Sequence, residues 1–577
     1  MKTTNETYPL HQVSFIDSFH DILKQSVDRY QNKLALEDLN PTPIPRLSYL
    51  ELYEHVIKFG AALQHVGLKE RDHIAVIGEN RVQWAIIYLA ATIFNYVIVP
   101  IDSKLKENDI VTILHASDSK AAVFSESYRD MFVGFRHTVK GLKYLIDMDL
   151  RSKENGILSM MELLGKEHAK SSKAKTPTVN PDDVSVIVFT SGSMGNAKGV
   201  MLSQRSICTN LMAMRKMVEI FPEDRFLSVL PIHHTYECTC GFLCPLSAGA
   251  SAHYARSLKT VVEDMQKVRP TLLLGVPLLY DKMYRRITAG IREKKIAAAL
   301  VPTLKSVSGL LETLGLREAR RKIFEEIHEK FGGAIRLFIA GGAAVDPMTA
   351  EGLRSFGFTF LQGYGLTETS PILTVNRPRN FKDEAAGLPL PTVELKIVDQ
   401  DEHGRGEIIA RGPTIMKGYY KNDKATSDVV KDGWFYTGDI GYIDHAGFLH
   451  ISGRKKNVIV ARNGENVYPE ELEEKIMKIP FVLECVVYGF KNKEGDEEVG
   501  AIIVPNAERF IEYSQHERAE LSSQLIEKVL NDEIRKLNET LPGHQVIRRV
   551  KIQEGEFEKT TSLKIRRHLV HPEDSTR

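Results

Sequence analysis

At 577 residues the chain is too long for one compact core, so two or more domains are expected. Its 43% hydrophobic and 26% charged residues are ordinary for a globular protein. The formal net charge of +1 argues against a polyanion, so no nucleic-acid partner is expected. Five cysteines are too few for a disulfide framework, and Met1–Phe15 has no apolar core of signal-peptide length. Both features predict a reducing, cytoplasmic compartment.

Leu50–Val66 reads as an amphipathic helix, His73–Gly78 as a strand, Gln83–Phe94 as a helix and Tyr96–Pro100 as a strand. Such alternation predicts a sheet layered between helices. Trp84–Ile101 is the one uncharged stretch near membrane-spanning length, for which ~20 apolar residues are needed. Thr92, Asn95 and Pro100 interrupt it, so a core helix feeding a buried strand is expected instead. Lys166–Pro181 is polar and proline-bearing, a surface connection. The β-branched run Val184–Phe189 is a buried strand.

The strand runs into Thr190-Ser191-Gly192-Ser193-Met194-Gly195-Asn196-Ala197-Lys198-Gly199-Val200. Glycines let backbone N–H groups turn inward around an anion. The hydroxyls of Thr190, Ser191 and Ser193 add donors, and Lys198 adds a mobile positive charge. A nucleotide polyphosphate fits this cradle. Ala197 before the lysine and Gly199 after it exclude the Walker A pattern, which argues against a P-loop kinase or GTPase.

Further along, His233-His234 and Cys238, Cys240 and Cys244 crowd one segment. No distant second ligand set accompanies them, so core packing is expected rather than a zinc site. Tyr280–Gly333 is charged and reads as helical throughout, with Arg285, Arg286, Arg292, Lys294, Lys295, Arg317, Arg320, Arg321 and Lys322. A solvated helical face is expected, with peripheral contact to an anionic membrane surface as the alternative. Beyond Thr392 come short strands, Val393–Val398, Gly406–Arg411 and Gly447–Ser452. A final unit from Lys456 combines strands such as Cys485–Phe490 with a helix over Glu517–Leu541.

Ordered blocks follow the phosphate loop: Leu230–Glu237, Gly341-Gly342-Ala343, Gln362-Gly363-Tyr364-Gly365-Leu366-Thr367-Glu368, Tyr436-Thr437-Gly438-Asp439, Gly453-Arg454-Lys455-Lys456 and Lys559–Ile565. With the loop they resemble the motifs of the adenylate-forming superfamily, which includes acyl-CoA synthetases, luciferases and peptide synthetase adenylation domains. Met194 and Ala197 stand where the family has threonine and proline, and Glu558 and Leu563 where proline and glycine are common.

The resemblance implies an α/β fold: a large layered N-terminal α/β domain with a β-rich distal part, residues 12–455, and a small mobile α+β domain, residues 456–577. It implies ATP and Mg²⁺, with Glu368 and Thr190 toward the metal and Thr367 toward the α-phosphate. Gly342, Ala343 and Tyr364 would wall the adenine, within the same nucleotide site as Gln362, Gly363 and Gly365. Asp439 and Arg454 would hold the ribose, and Lys564 would grip the carboxylate and α-phosphate. Lys456 falls at the family's hinge, after whose rotation the loop Asn463–Asn466 would replace Lys564 and admit the coenzyme A thiol.

His234 matches the histidine at the mouth of the acyl pocket. Glu237 and the Thr-x-Ser-Leu-Lys-Ile ending resemble the long-chain fatty acid–CoA ligases. The expectation is thus a two-step, AMP-forming fatty acid–CoA ligase. Acyl carrier protein as acceptor, an enzyme that stops at the adenylate, and a catalytically silent nucleotide-binding regulator are the alternatives. Cytoplasmic placement leaves room for peripheral attachment to the inner membrane face.

Overall fold

Local signals fix where the first helices begin and end. Ser18 and Asp21 form a capping box on Phe19–Tyr30, and Ser48 and Glu51 form another on Tyr49–Val66, each satisfying donors left orphaned at a helix start. Gly67, at φ 105°, closes the second helix in the left-handed region where a side chain is strained. All of Val82–Ile93 is buried, and the strand Val97–Pro100 that follows is buried as well. The uncharged stretch is therefore core.

The computed structural model describes residues 8–135, 138–165, 176–190, 197–293, 304–308, 321–492, 494–560 and 564–570. Two units emerge. One comprises Met1–Leu395, Ala410–Phe435 and Ala446–Phe448; the other comprises Lys396–Ile409, Tyr436–His445 and Leu449–Arg577.

The first unit carries two sheets. The eight-stranded one runs Gly418–Tyr419, Lys198–Ser203, Val184–Thr190, Val97–Pro100, His73–Ile77, Ser119–Phe124, Tyr144–Asp147, Leu158–Ser159. The nine-stranded one runs Leu388–Pro389, Ile372–Val375, Thr359–Gly365, Leu337–Ala340, Leu272–Gly275, Arg225–Ser228, Ser251–Tyr254, Leu34–Asp38, Arg46–Ser48. One apolar core draws on both sheets and the helices beside them, with Phe19, Phe59, Trp84, Ile98, Leu211, Phe242 and Tyr254. Each sheet reverses its winding: from His73–Ile77 in the first, and from Arg225–Ser228 in the second, successive strands are added on opposite sides. Clefts outside the carboxyl ends of strands at such points are where α/β sheets bind ligands.

The expected layered α/β class is thus observed, with two differences of detail. Among the described residues of Tyr280–Gly333, helix covers Pro277–Glu293, 304–308, 321–323 and Glu325–Lys330; it breaks at Phe324, and Gly332 and Gly333 at φ 81° and 68° lie past its end. Tyr280, Met283 and Ile287 face the core, while Arg285, Arg286 and Lys322 are exposed, as a solvated face requires. Lys294, Lys295, Arg317 and Arg320 lie outside the described residues, as does most of Lys166–Pro181.

The second difference lies in the other unit. A helix that the pattern does not predict, Ala507–Glu517, precedes the helix expected over Glu517–Leu541, which spans Ser523–Asn538. Arg518 at φ 52° stops the first, and the Ser522 side chain accepts from Leu525 N to start the second. They pack on a three-stranded sheet of Val482–Lys491, Glu497–Pro505 and Ile547–Ile552, an α+β arrangement cored by Leu472, Val487, Ile503 and Leu530. All five cysteines are buried as free thiols. Among the described residues no helix is long and apolar enough to cross a membrane.

Candidate active site

The strand Val184–Thr190 pairs antiparallel with Lys198–Ser203, setting Thr190 opposite Lys198 at the base of the phosphate loop. Ser191, Gly192, Ser193 and Gly195 lie outside the described residues. Gly199 is needed for the hairpin's packing, since a Cβ there would come within 2.9 Å of Ile187 Cγ2. The second strand pairs in turn with Gly418–Tyr419, where Tyr419 stands opposite Val200. The pairing delivers a residue that the motifs did not reveal. Lys198 Nζ lies 4.7 Å from the Tyr419 ring centroid, a cation–π contact, and the Tyr419 hydroxyl donates to Glu368 Oε1 at 2.9 Å.

Glu368 sits on a single 3₁₀ turn, Thr367–Thr369, just past the strand Thr359–Gly365. Several bonds fix this turn. Met416 N donates to Glu368 O at 2.8 Å, and Thr369 Oγ1 donates to Pro371 O at 2.6 Å. From the helix Gln204–Met217, Asn210 Nδ2 donates to Ile372 O at 2.7 Å. Gly363 and Gly365 lie where Thr359–Gly365 pairs with Ile372–Val375, and a Cβ at Gly365 would overlap Pro371 O. Thr367, Glu368 and Tyr364 are half-buried, and Gly342 (φ 88°) and Ala343 are exposed past Leu337–Ala340. Gln362 instead turns its amide into the fold, donating to Asp383 O and Ala385 O at 2.6 and 2.8 Å. An oxygen donor set of Glu368 and the Thr190 hydroxyl fits a hard divalent ion.

At the carboxyl end of Arg225–Ser228 the chain makes the turn carrying His233 and His234. Asn80, from beyond His73–Ile77, holds it by donating to Leu230 O at 2.6 Å and accepting from Ile232 N at 2.9 Å. Asn80 also donates to Ser228 Oγ at 3.0 Å, and Ser228 Oγ donates to Glu237 Oε1 at 2.5 Å. Glu237 begins a π-helical stretch, Glu237–Leu243. Burial without a cation lifts its carboxyl from 4.5 to about 8, and its Oε2 has no hydrogen-bond partner.

His234 is half-buried and His233 is 6% exposed. Burial likewise pushes the Cys238 thiol up to about 12 and Cys244 up to about 11, and raises Cys240. Inert buried thiols are core residues. Beneath the turn lies an apolar cavity of about 50 Å³ whose lining includes Met214, Phe226, Tyr236, Cys240, Leu274 and Ile339.

In the second unit, Asp439 and Arg454 face each other across antiparallel strands, with Arg454 Nε 2.8 Å from Asp439 Oδ1. Asp439 N also donates to Thr437 Oγ1 at 3.1 Å. Lys564 joins them. The residue is exposed, yet burial of its ammonium among neighbouring groups, and then the Arg454 cation, hold its pKa below the ordinary lysine value, while Asp439 opposes this. Its backbone is set by a small bridge, with Thr560 N donating to Lys564 O at 2.8 Å. Lys456 is exposed in the short turn Lys455–Asn457. Asn463 and Gly464 (φ 82°) form the tip of a hairpin closed by Ala461 N donating to Glu465 O at 2.9 Å.

This arrangement is that of a nucleotide-activating enzyme, and comparison with known proteins agrees. The description "AMP-binding enzyme" matches residues 23–420, and "AMP-binding enzyme C-terminal domain" matches residues 456–573. The chain belongs to the AMP-binding enzyme family. It is 29% identical to human long-chain-fatty-acid–CoA ligase 1 over 86% of this chain and 76% of that protein. It is 28% identical to the chloroplastic long-chain-fatty-acid–[acyl-carrier-protein] ligase AEE15 of Arabidopsis thaliana, over 89% and 79%. Among solved structures, the anthranilate CoA ligase AuaEII has a similar fold, with TM-score 0.76 and 18% identity over 98% of both chains.

Proposed function

We propose that this protein is an AMP-forming acid–thiol ligase that activates long-chain fatty acids and transfers them to coenzyme A. The observation that carries the reading is the convergence of Lys198 and Glu368 on Tyr419 at the base of the phosphate loop. It supplies a cation for a polyphosphate beside a carboxylate for its metal. Long-chain ligases as relatives over most of the chain support the acyl class.

In the first step the acid's carboxylate attacks the α-phosphate of ATP and pyrophosphate leaves. Two anions must be brought together, so fixed charge and positioning supply most of the catalysis. Lys198 and the loop donors hold the polyphosphate, with Thr367 toward the α-phosphate. Glu368 and Thr190 would hold Mg²⁺, which neutralises phosphate charge. Asp439 and Arg454 hold the ribose, and Lys564 bridges the reacting oxygens. His234 lies at the acyl mouth. Rotation of residues 456–577 about Lys456 then withdraws Lys564 and admits the thiol, an exchange that hinges achieve at few residues. Cytoplasmic placement is part of this reading, supported by the five buried free thiols.

A second reading, transfer to acyl carrier protein, is favoured by the AEE15 relative. Purified protein given palmitate and ATP is expected to exchange pyrophosphate and to release thioester with coenzyme A. Thioester with acyl carrier protein alone would establish the second reading, and no acid-dependent exchange would refute both.

A further inference from the structure

We propose that Asp102, His233 and His234 form a binding site for a transition-metal dication of the zinc class, separate from the Glu368 position. One donor atom from each residue lies within 4.8 Å of the other two. The three arrive from different sheets: Asp102 follows the strand Val97–Pro100, and the histidines follow Arg225–Ser228. Both backbones are held in place. Asn80 clamps Leu230 and Ile232, His234 N donates to Pro231 O at 3.1 Å, and Lys104 N donates to Asp102 Oδ1 at 2.9 Å. The two imidazole rings lean on each other, with centroids 4.3 Å apart.

A second observation points to a ligand. His233 is buried, and its Nε2 has no hydrogen-bond partner although Asp102 Oδ1 is only 3.5 Å away. A buried polar atom left in this state is destabilising, and a shared cation would satisfy it. The donor set decides which cation. Two imidazoles suit zinc, cobalt or nickel, whereas magnesium and calcium select oxygen. Two histidines and one carboxylate leave a coordination position open. Zinc sits ~2.0–2.1 Å from nitrogen and oxygen donors, so small side-chain rotations would draw the three together. The nearby cysteines take no part, because burial keeps their thiols protonated.

One consequence rests on the proposed function: a cation held by His234 obstructs the acyl mouth, so zinc would inhibit adenylation. The binding itself does not depend on that role. The test titrates chelator-treated full-length protein with cobalt chloride, followed by visible d–d absorption, and repeats the titration with zinc chloride by equilibrium dialysis. The wild type should bind one ion per chain and retain it in excess magnesium. Asp102→Asn, near-isosteric and checked for an unchanged melting temperature, should weaken binding more than about tenfold, as should His233→Gln. Cys240→Ala should bind like the wild type. No cobalt or zinc uptake below about 1 mM, or equal uptake by Asp102→Asn and His233→Gln, would overturn the site. Uptake without inhibition would sustain the site and instead remove His234 from the acyl mouth.

Discussion

Tyr419 shows how much one hydroxyl can carry: it touches Lys198 through its ring and Glu368 through its oxygen. Hydrogen bonds to charged groups are worth about 1.5–3 kcal/mol. Tyr419→Phe keeps the ring contact and frees Glu368 Oε1, so KM for MgATP should rise about tenfold or more with the fold intact. Steady-state kinetics at varied ATP checks this. Lys564 makes a pH prediction. Its pKa is held below the ordinary lysine value by its surroundings and Arg454, so its charge is lost earlier as pH rises. Adenylation should therefore decline on the alkaline side below the ordinary lysine pKa of about 10.4. Lys564→Arg should move that limb upward, read from pyrophosphate exchange across pH. Tyr419 was not legible in the sequence, whereas the resemblance already placed Asp439 and Lys564 at one nucleotide. Tyr419 lies in no motif block and reaches the site only because its strand joins the edge of a sheet.

At the scale of elements, the site depends on turns gripped by buried polar groups. The Thr367–Thr369 turn is held by Asn210 and by the backbone approach at Gly365. Gly365→Ala should destabilise the protein and abolish adenylation, because the added methyl would strike backbone and not a yielding side chain; a thermal melt beside an exchange assay reads both. The π-helical stretch starts with a costly carboxyl. With its folded pKa near 8 against 4.5 unfolded, Glu237 contributes most below pH 4.5. That contribution is lost as pH rises through this window.

Near pH 7 the penalty is of the order of 3 kcal/mol, so Glu237→Gln should stabilise the protein, increasingly so toward pH 8. Melts at graded pH test the sign. The sequence revealed the strands and helices wherever periodicity or a β-branched run was strong, as at Val184–Phe189. It starts the helix of Glu517–Leu541 too early, because the left-handed Arg518 that parts Ser523–Asn538 from Ala507–Glu517 leaves no mark in a hydrophobic pattern.

For the whole molecule, family membership was legible because the blocks keep their order over nearly the entire chain, which no local accident produces. The acyl specificity was not, since pocket shape is set by side chains far apart in the sequence. If Lys456 is the hinge, Lys456→Pro should spare pyrophosphate exchange more than thioester formation, and equal loss of both would contradict that role. The proposed reaction couples acid activation to thiol capture. Its most direct measurement is AMP formation with fatty acids of graded chain length, with and without coenzyme A. AMP release should require both acid and coenzyme A and be fastest with long chains. AMP release indifferent to coenzyme A, or supported by no acid in the series, would contradict it.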